Sequence, residues 1–158
     1  MDVYPILHRL IALLLCLLAA PNASASEVLE LHNADFVMQR GSAPPTESAQ
    51  WMPVKLPDLW DVSRPGVGGD GWYRLRFSLR DVPREGQAIY LPHLCMNAAV
   101  YLNGAFLGDG GKFDDPIARN WNRPLLFLAP PSLLQPGENI LFIRVNSPAF
   151  SLGSLYTV

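Results

Sequence analysis

The chain has 158 residues and a formal net charge of −2, with 49% hydrophobic and 16% charged residues. That length and balance fit one domain built around a single core. Lys and Arg form no cluster that would track a phosphate backbone, which argues against nucleic acid as a partner.

The amino end reads as an export signal. Met1 to Arg9 is a short head carrying His8 and Arg9, and Leu10 to Ala20 is an unbroken apolar run. Ala23-Ser24-Ala25 then supplies the small-x-small pattern that signal peptidase cuts after. A membrane-spanning helix needs about 20 apolar residues, more than this run supplies. Residues 1–25 are therefore expected to be a cleaved signal peptide, and residues 26–158 a periplasmic or otherwise extracytoplasmic domain. Leu15 is too bulky for a lipobox ahead of Cys16. Cleavage leaves Cys95 as the sole cysteine, which excludes an internal disulfide and fits a small buried apolar residue.

Beyond the leader, prolines and glycines punctuate short apolar runs, and no stretch of a dozen residues has helical periodicity. Ser26 to Met38 reads as a first strand, with Val28 and Leu29 apolar and a further pass of chain at Phe36-Val37. Gly41 to Gln50 is a polar, Pro-rich loop. Trp51 to Leu56 fits an edge strand, because Pro53 cannot donate to a central ladder. Pro57 to Asp70 reads as an irregular connection holding Trp60.

Trp72 to Leu79 carries the strongest strand pattern. Tyr73, Leu75, Phe77 and Leu79 alternate with Trp72, Arg74, Arg76 and Ser78, which puts one set on the core and the other on the open face. Ala88 to Leu91 follows a polar turn. Ala98 to Leu102 enters Asn103-Gly104 and leaves through Ala105-Phe106-Leu107, a hairpin whose turn needs positive φ at both central residues. Gly108 to Asn122 is a long polar loop, Leu125 to Leu128 a strand, Pro136 to Asn139 a turn and Ile140 to Val145 a closing strand. Roughly seven or eight strands at this spacing predict an all-β fold, a two-sheet antiparallel jelly-roll sandwich. Asn146 to Val158 enters another apolar segment without a polar tail, so the domain is expected to be truncated at its carboxyl end.

The residues that carry recognition chemistry are Arg119-Asn120-Trp121-Asn122-Arg123. Amides and guanidinium groups pair with sugar hydroxyls, and an indole stacks on the apolar face of the ring. The same asparagines also fit as braces of a long loop, with Trp121 covering the sandwich edge. Trp72 and Arg74 share the outward face of their strand, either as a ligand platform or as a surface cation–π pair. Asp109, Asp114 and Asp115 lie in one loop with no apolar pocket evident to raise a carboxyl pKa, which speaks against glycoside hydrolysis by this chain. Lys112 within that loop opposes a Ca²⁺ site, and His32 and His93 have no metal-ligand spacing. No cofactor or metal is implied.

Val54-Lys55-Leu56-Pro57-Asp58-Leu59-Trp60, Gly71-Trp72-Tyr73-Arg74, Val100-Tyr101-Leu102-Asn103-Gly104 and Leu133-Leu134-Gln135-Pro136-Gly137-Glu138-Asn139 ahead of Ile143-Arg144-Val145 occur in that order. The series resembles the galactose-binding-like jelly roll at the amino end of glycoside hydrolase family 2. Those enzymes carry their catalytic acids in a separate barrel. The resemblance implies a sugar-binding accessory domain, with Asn97 near the edge of the sugar site.

Tyr90-Leu91-Pro92, Met96 to Gly104 and Ala118 to Leu125 are also similar to the periplasmic input domains of bacterial sensor histidine kinases and diguanylate cyclases. That likeness implies a non-catalytic sensory domain for a small polar ligand or carbohydrate, with a membrane signalling module as partner. From the sequence, this sensory reading leads and the accessory hydrolase domain is the alternative. The expected ligand residues are Asn97, Asn120, Trp121, Asn122, Arg123, Trp72 and Arg74.

Overall fold

The computed structural model describes residues 28–94, 96–120, 123–148 and 153–158; the expected signal peptide, Cys95, Trp121 and Asn122 lie outside them. The described residues are nearly all β, in antiparallel sheets arranged as a sandwich. In chain order they form β1 (Asn33–Met38), β2 (Met52–Lys55), β3 (Asp58–Leu59), a short helix α1 (Trp60–Ser63), β4 (Gly69–Leu79), β5 (Gln87–Leu91), β6 (Asn97–Leu102), β7 (Ala105–Asp109), β8 (Leu125–Ala129), β9 (Gly137–Ser147) and β10 (Ser154–Leu155). One layer is a six-stranded sheet in the order β2-β1-β4-β9-β6-β7, and the other comprises the ribbons β5-β8 and β3-β10.

The alternation along β4 sets the layers. Tyr73 and Leu75 are fully buried in the main core, with Phe77 and Leu79 packed against it. β9 runs antiparallel to β4 from Gly69↔Ser147 to Leu79↔Gly137, adding Leu141, Ile143 and Val145 to the same face. Across from it, the β5-β8 ribbon contributes Ile89, Leu91, Leu125, Phe127 and Ala129. Its other side presents Tyr90, Leu126 and Leu128 to solvent. Trp60, Leu94 and Leu155 complete the core at the β3-β10 end.

Two polar knots hold the ends of this sandwich. At one, Asp58 is buried and its Oδ2 accepts from the Tyr73 hydroxyl (2.6 Å) and from Arg64 (2.7 Å), while its Oδ1 accepts from Ser63 (2.7 Å). Trp60 Nε1 donates to the Tyr73 oxygen at 2.7 Å, and the Arg64 guanidinium lies 3.8 Å above the Phe36 ring. Burial, followed by the charge of Asp58, pushes the Tyr73 hydroxyl far above its ordinary pKa, so it remains a donor. Gly71 makes room for this knot, because a Cβ there would lie 2.4 Å from the Trp60 ring and 2.6 Å from Phe36.

At the other end two turns clasp each other. Asn103 (φ 50) and Gly104 (φ 86) form the predicted positive-φ pair between β6 and β7. Asn103 Nδ2 donates to Leu133 O and to Asn139 Oδ1, and the Ile140 N–H donates to Asn103 Oδ1. Asn139 is fully buried and donates in turn to Gln135 O and Gly137 O.

Three sequence expectations change. The first strand begins at Asn33, and Phe36 and Val37 belong to that same strand; Val28 and Leu29 are exposed. The stretch from Pro57 to Asp70 is not merely irregular, since it contains β3, α1 and the start of β4. The final strand extends back through the Pro136–Asn139 turn to Gly137, because that turn is clasped against β4 and Asn103.

Removing Asp58 leaves Tyr73 and Arg64 without their acceptor, whereas Ser63 keeps Leu59 O. Asp58→Ala is expected to cost about 3–5 kcal/mol and Tyr73→Phe about 1–3 kcal/mol. Urea unfolding with an unchanged m-value checks both.

Candidate functional site

The outer face of the six-stranded sheet, turned away from the main core, carries three of the residues expected to bind ligand, Trp72, Arg74 and Asn97, among other polar and aromatic side chains. On β4 these are Asp70, Trp72, Arg74 and Arg76; on β9 they are Phe142, Arg144 and Asn146, opposite Arg74, Trp72 and Asp70. β6 adds Asn97, Ala99 and Tyr101 in register with Asn146, Arg144 and Phe142.

This face is not open over its middle. The chain from Gln39 to Trp51 folds across it and encloses a second small core of Val37, Trp72 and Phe142, with Ala49, Trp51, Tyr101 and Ile140 packed around. Trp72 is fully buried, and its Nε1 donates to Gln39 O at 3.0 Å. Arg74 is buried as well. Its Nε and one terminal nitrogen donate to Asp35 Oδ2 (3.1 and 2.9 Å), and the other donates to Glu47 at 2.6 Å. The expected exposed platform of Trp72 and Arg74 is therefore corrected. Arg74 stacks on Trp51, 4.4 Å from its ring centroid, and both residues serve to fasten the crossing strap. Alternation identified their face correctly, but it carries no information about a loop folding over it.

Burial works to raise the Asp35 carboxyl, but hydrogen bonds and charge from Arg74 and Arg76 outweigh it and hold its pKa below the ordinary value.

Asn97 and Asn120 are brought together, as a brace. Both are buried. Asn97 Nδ2 donates to Gly111 O (2.6 Å) and Lys112 O (3.2 Å), and its Oδ1 accepts from the Ala98 N–H. Asn120 Nδ2 reaches Met96 O, Asn97 Oδ1 and Gly110 O at 3.2–3.3 Å. These amides pin the β7–β8 loop to the start of β6, with both Nδ2 groups and the Asn97 Oδ1 engaged within the chain. Arg123 is exposed, with its backbone N–H donating to Asn120 O. Trp121 and Asn122 lie outside the described residues.

Sequence reasoning missed what lies beside this brace. Asp70 accepts from Arg144 (2.9 Å) and from Asn146, and the Arg144 guanidinium stacks 4.3 Å from the Phe113 ring centroid. Among the described residues, Arg144 Nε is buried with no acceptor. A row of rings runs outward from the buried centre: Trp72 to Tyr101 at 5.6 Å, then Tyr101 to Phe106 at 5.2 Å. Phe106 is 55% exposed. The signal was present in the period-two positions of β4, β6 and β9, but pairing strands in register required the fold.

Among the described residues, no group of three or more His, Cys, Asp or Glu is placed to hold a metal ion. An apolar cleft of about 470 Å³ lies elsewhere, between Val28–Leu31, the β5 edge and Val158, and the predicted ligand residues do not line it.

Asn97→Ala is expected to cost about 1–3 kcal/mol by stranding loop carbonyls, whereas Arg123→Ala stays within about 0.5 kcal/mol; chemical denaturation separates them. The lowered Asp35 pKa means its contribution is complete above the ordinary carboxylate value near 4 and is lost as pH falls below it. Stability measured from pH 7 down to pH 3 should fall less steeply in Asp35→Asn than in the native chain.

No protein-family model matches the chain, and no curated protein sequence matches it. Solved structures do. The chain superimposes on a β-glucuronidase of Bifidobacterium dentium, solved with coumarin-3-O-glucuronide, with a TM-score of 0.57 and 20% identity over 75% of this chain and 20% of that one. It matches a glycosyl hydrolase family 2 member from Bacteroides cellulosilyticus with a TM-score of 0.58 and 20% identity, over 79% of this chain and 19% of that one. A β-D-mannosidase from Dictyoglomus thermophilum gives 0.53 and 23%, over 78% and 16%. The chain thus spans a fifth or less of each of these glycosidases, and at these identities the likeness is one of fold.

Proposed function

We propose that this domain is a non-catalytic carbohydrate-recognition module, the accessory β-sandwich of a larger glycoside hydrolase of the family 2 type. The observation that carries the reading is the fold match to about a fifth of a β-glucuronidase and a family 2 hydrolase, and less of a β-mannosidase. It agrees with the ordered landmarks from Val54 to Val145. Reaction chemistry in this reading belongs to another part of the protein. The solvent-facing side of the β5-β8 ribbon, with Tyr90, Leu126 and Leu128, suits contact with the rest of such a protein. An export signal at residues 1–25 suits an enzyme that meets its glycans outside the cytoplasm. The sensory reading, with its membrane signalling partner, draws no support from the matched glycosidases.

Glucuronide- and mannoside-terminated oligosaccharides are the first probes. A saturating glycan is expected to raise the melting temperature by several degrees through preferential binding to the native state, and the chain alone is expected to leave aryl glycosides intact. Turnover of such a substrate by the purified chain would contradict the reading.

A further inference from the structure

The outer face of the β6-β7 hairpin has features that neither the core nor the strap explains. β7 is the last strand of its sheet, so one flank of the hairpin meets solvent. Tyr101 and Phe106 face each other directly across the two strands, their rings tilted by 56°. A slip in register between Val100 and Tyr101 turns Phe106 and Asp109 to the same side as Tyr101 and Ala99.

The platform is stiff. Tyr101 is backed by fully buried Trp72, and its hydroxyl donates to Ser42 O in the strap. Burial holds the Tyr101 hydroxyl above its ordinary pKa, with Arg144 opposing and Asp109 reinforcing that shift, so the group stays a donor at neutral pH. Phe106 is the part left exposed. An aromatic surface already fixed by its supports loses little side-chain entropy on binding.

A carboxylate completes the arrangement. Asp109 lies one outer-face step from Phe106, roughly 7 Å along a strand at about 3.4 Å per residue. Its Oδ1 accepts the Gly111 N–H, while its Oδ2 has no acceptor duty within the described residues. The carboxylate is exposed. A ring that offers an apolar face and hydroxyls on its rim meets both surfaces at once: C–H groups against Phe106 and Tyr101, and an O–H donating to Asp109.

We propose that the outer face of the β6-β7 hairpin, with Phe106 and Tyr101 as the stacking surface and Asp109 as the hydroxyl acceptor, is the site where a neutral sugar ring docks. This rests on the carbohydrate reading above and moves the contact away from the Arg119–Arg123 run. A neutral ring fits better than an anionic one, because Asp109 would repel a sugar carboxylate and Arg144 is already paired with Asp70.

The test is titration of the purified chain with mannoside- and glucuronide-terminated oligosaccharides, followed for the native protein, Phe106→Ala, Asp109→Asn and Arg123→Ala. Circular dichroism and melting temperature establish that each variant is folded; Phe106 and Asp109 are exposed enough for replacement to leave the fold intact. The expected result is mannoside binding that weakens about tenfold or more in Phe106→Ala and roughly threefold or more in Asp109→Asn. Arg123→Ala should remain within about twofold. Native-level binding by folded Phe106→Ala, with loss in Arg123→Ala, overturns this site but leaves the carbohydrate reading standing. Absence of binding by the native chain to either probe overturns this site and the carbohydrate reading together.

Discussion

A single buried carboxylate ties the two layers of this sandwich together. Asp58 stands on a two-residue strand that a hydrophobic contact alone would hold weakly, yet it accepts from Tyr73 of the central strand, from Ser63 of the helix that follows and from Arg64 at its end. Three donors on one side chain compensate for removing its charge from water. Because Tyr73 also accepts from Trp60, the knot fixes where the indole packs and thus the shape of the core at that end. The glycine opposite the indole belongs to the same constraint.

The motifs that carry the family resemblance turn out to be fold-making elements. The Val54–Trp60 run supplies the acceptor of the knot, Gly71–Arg74 supplies its donor and the space beside it, and the Asn103-Gly104 and Gln135–Asn139 turns clasp one another through the amides of Asn103 and buried Asn139. Buried polar groups that are fully paired specify a geometry more tightly than apolar packing does. In the carbohydrate reading, the contact is therefore to be sought where side chains remain exposed on a rigid base.

Much of the architecture was legible in the sequence. The alternation in Trp72–Leu79 fixed which residues enter the core, Pro53 marked an edge strand, and Asn103-Gly104 announced a hairpin with the required positive φ values. The site was far less legible. Alternation placed Trp72 and Arg74 on the outer face, but their burial comes from the strap at Gln39–Trp51, whose course depends on partners distant in sequence. Asn120 read as a ligand or as a brace, and Asn97 only as a ligand by resemblance, yet both amides are engaged with backbone carbonyls. Tyr101, Phe106 and Asp109 form a group only once β6 and β7 are paired with their slip in register, a detail carried by three-dimensional context.

The central claim is that the Asp58 knot binds the β3-β10 ribbon to the six-stranded sheet as one cooperative unit. Native-state hydrogen exchange tests it most directly, through the Trp60 amide that donates to Gly153 O and the ladder amides of the Asp58↔Leu155 pair. The account predicts that these exchange with the same free energy and denaturant dependence as the central amides of β4 and β9. Exchange of the ribbon amides through a cheap local opening insensitive to denaturant, while β4 and β9 remain protected, would contradict it.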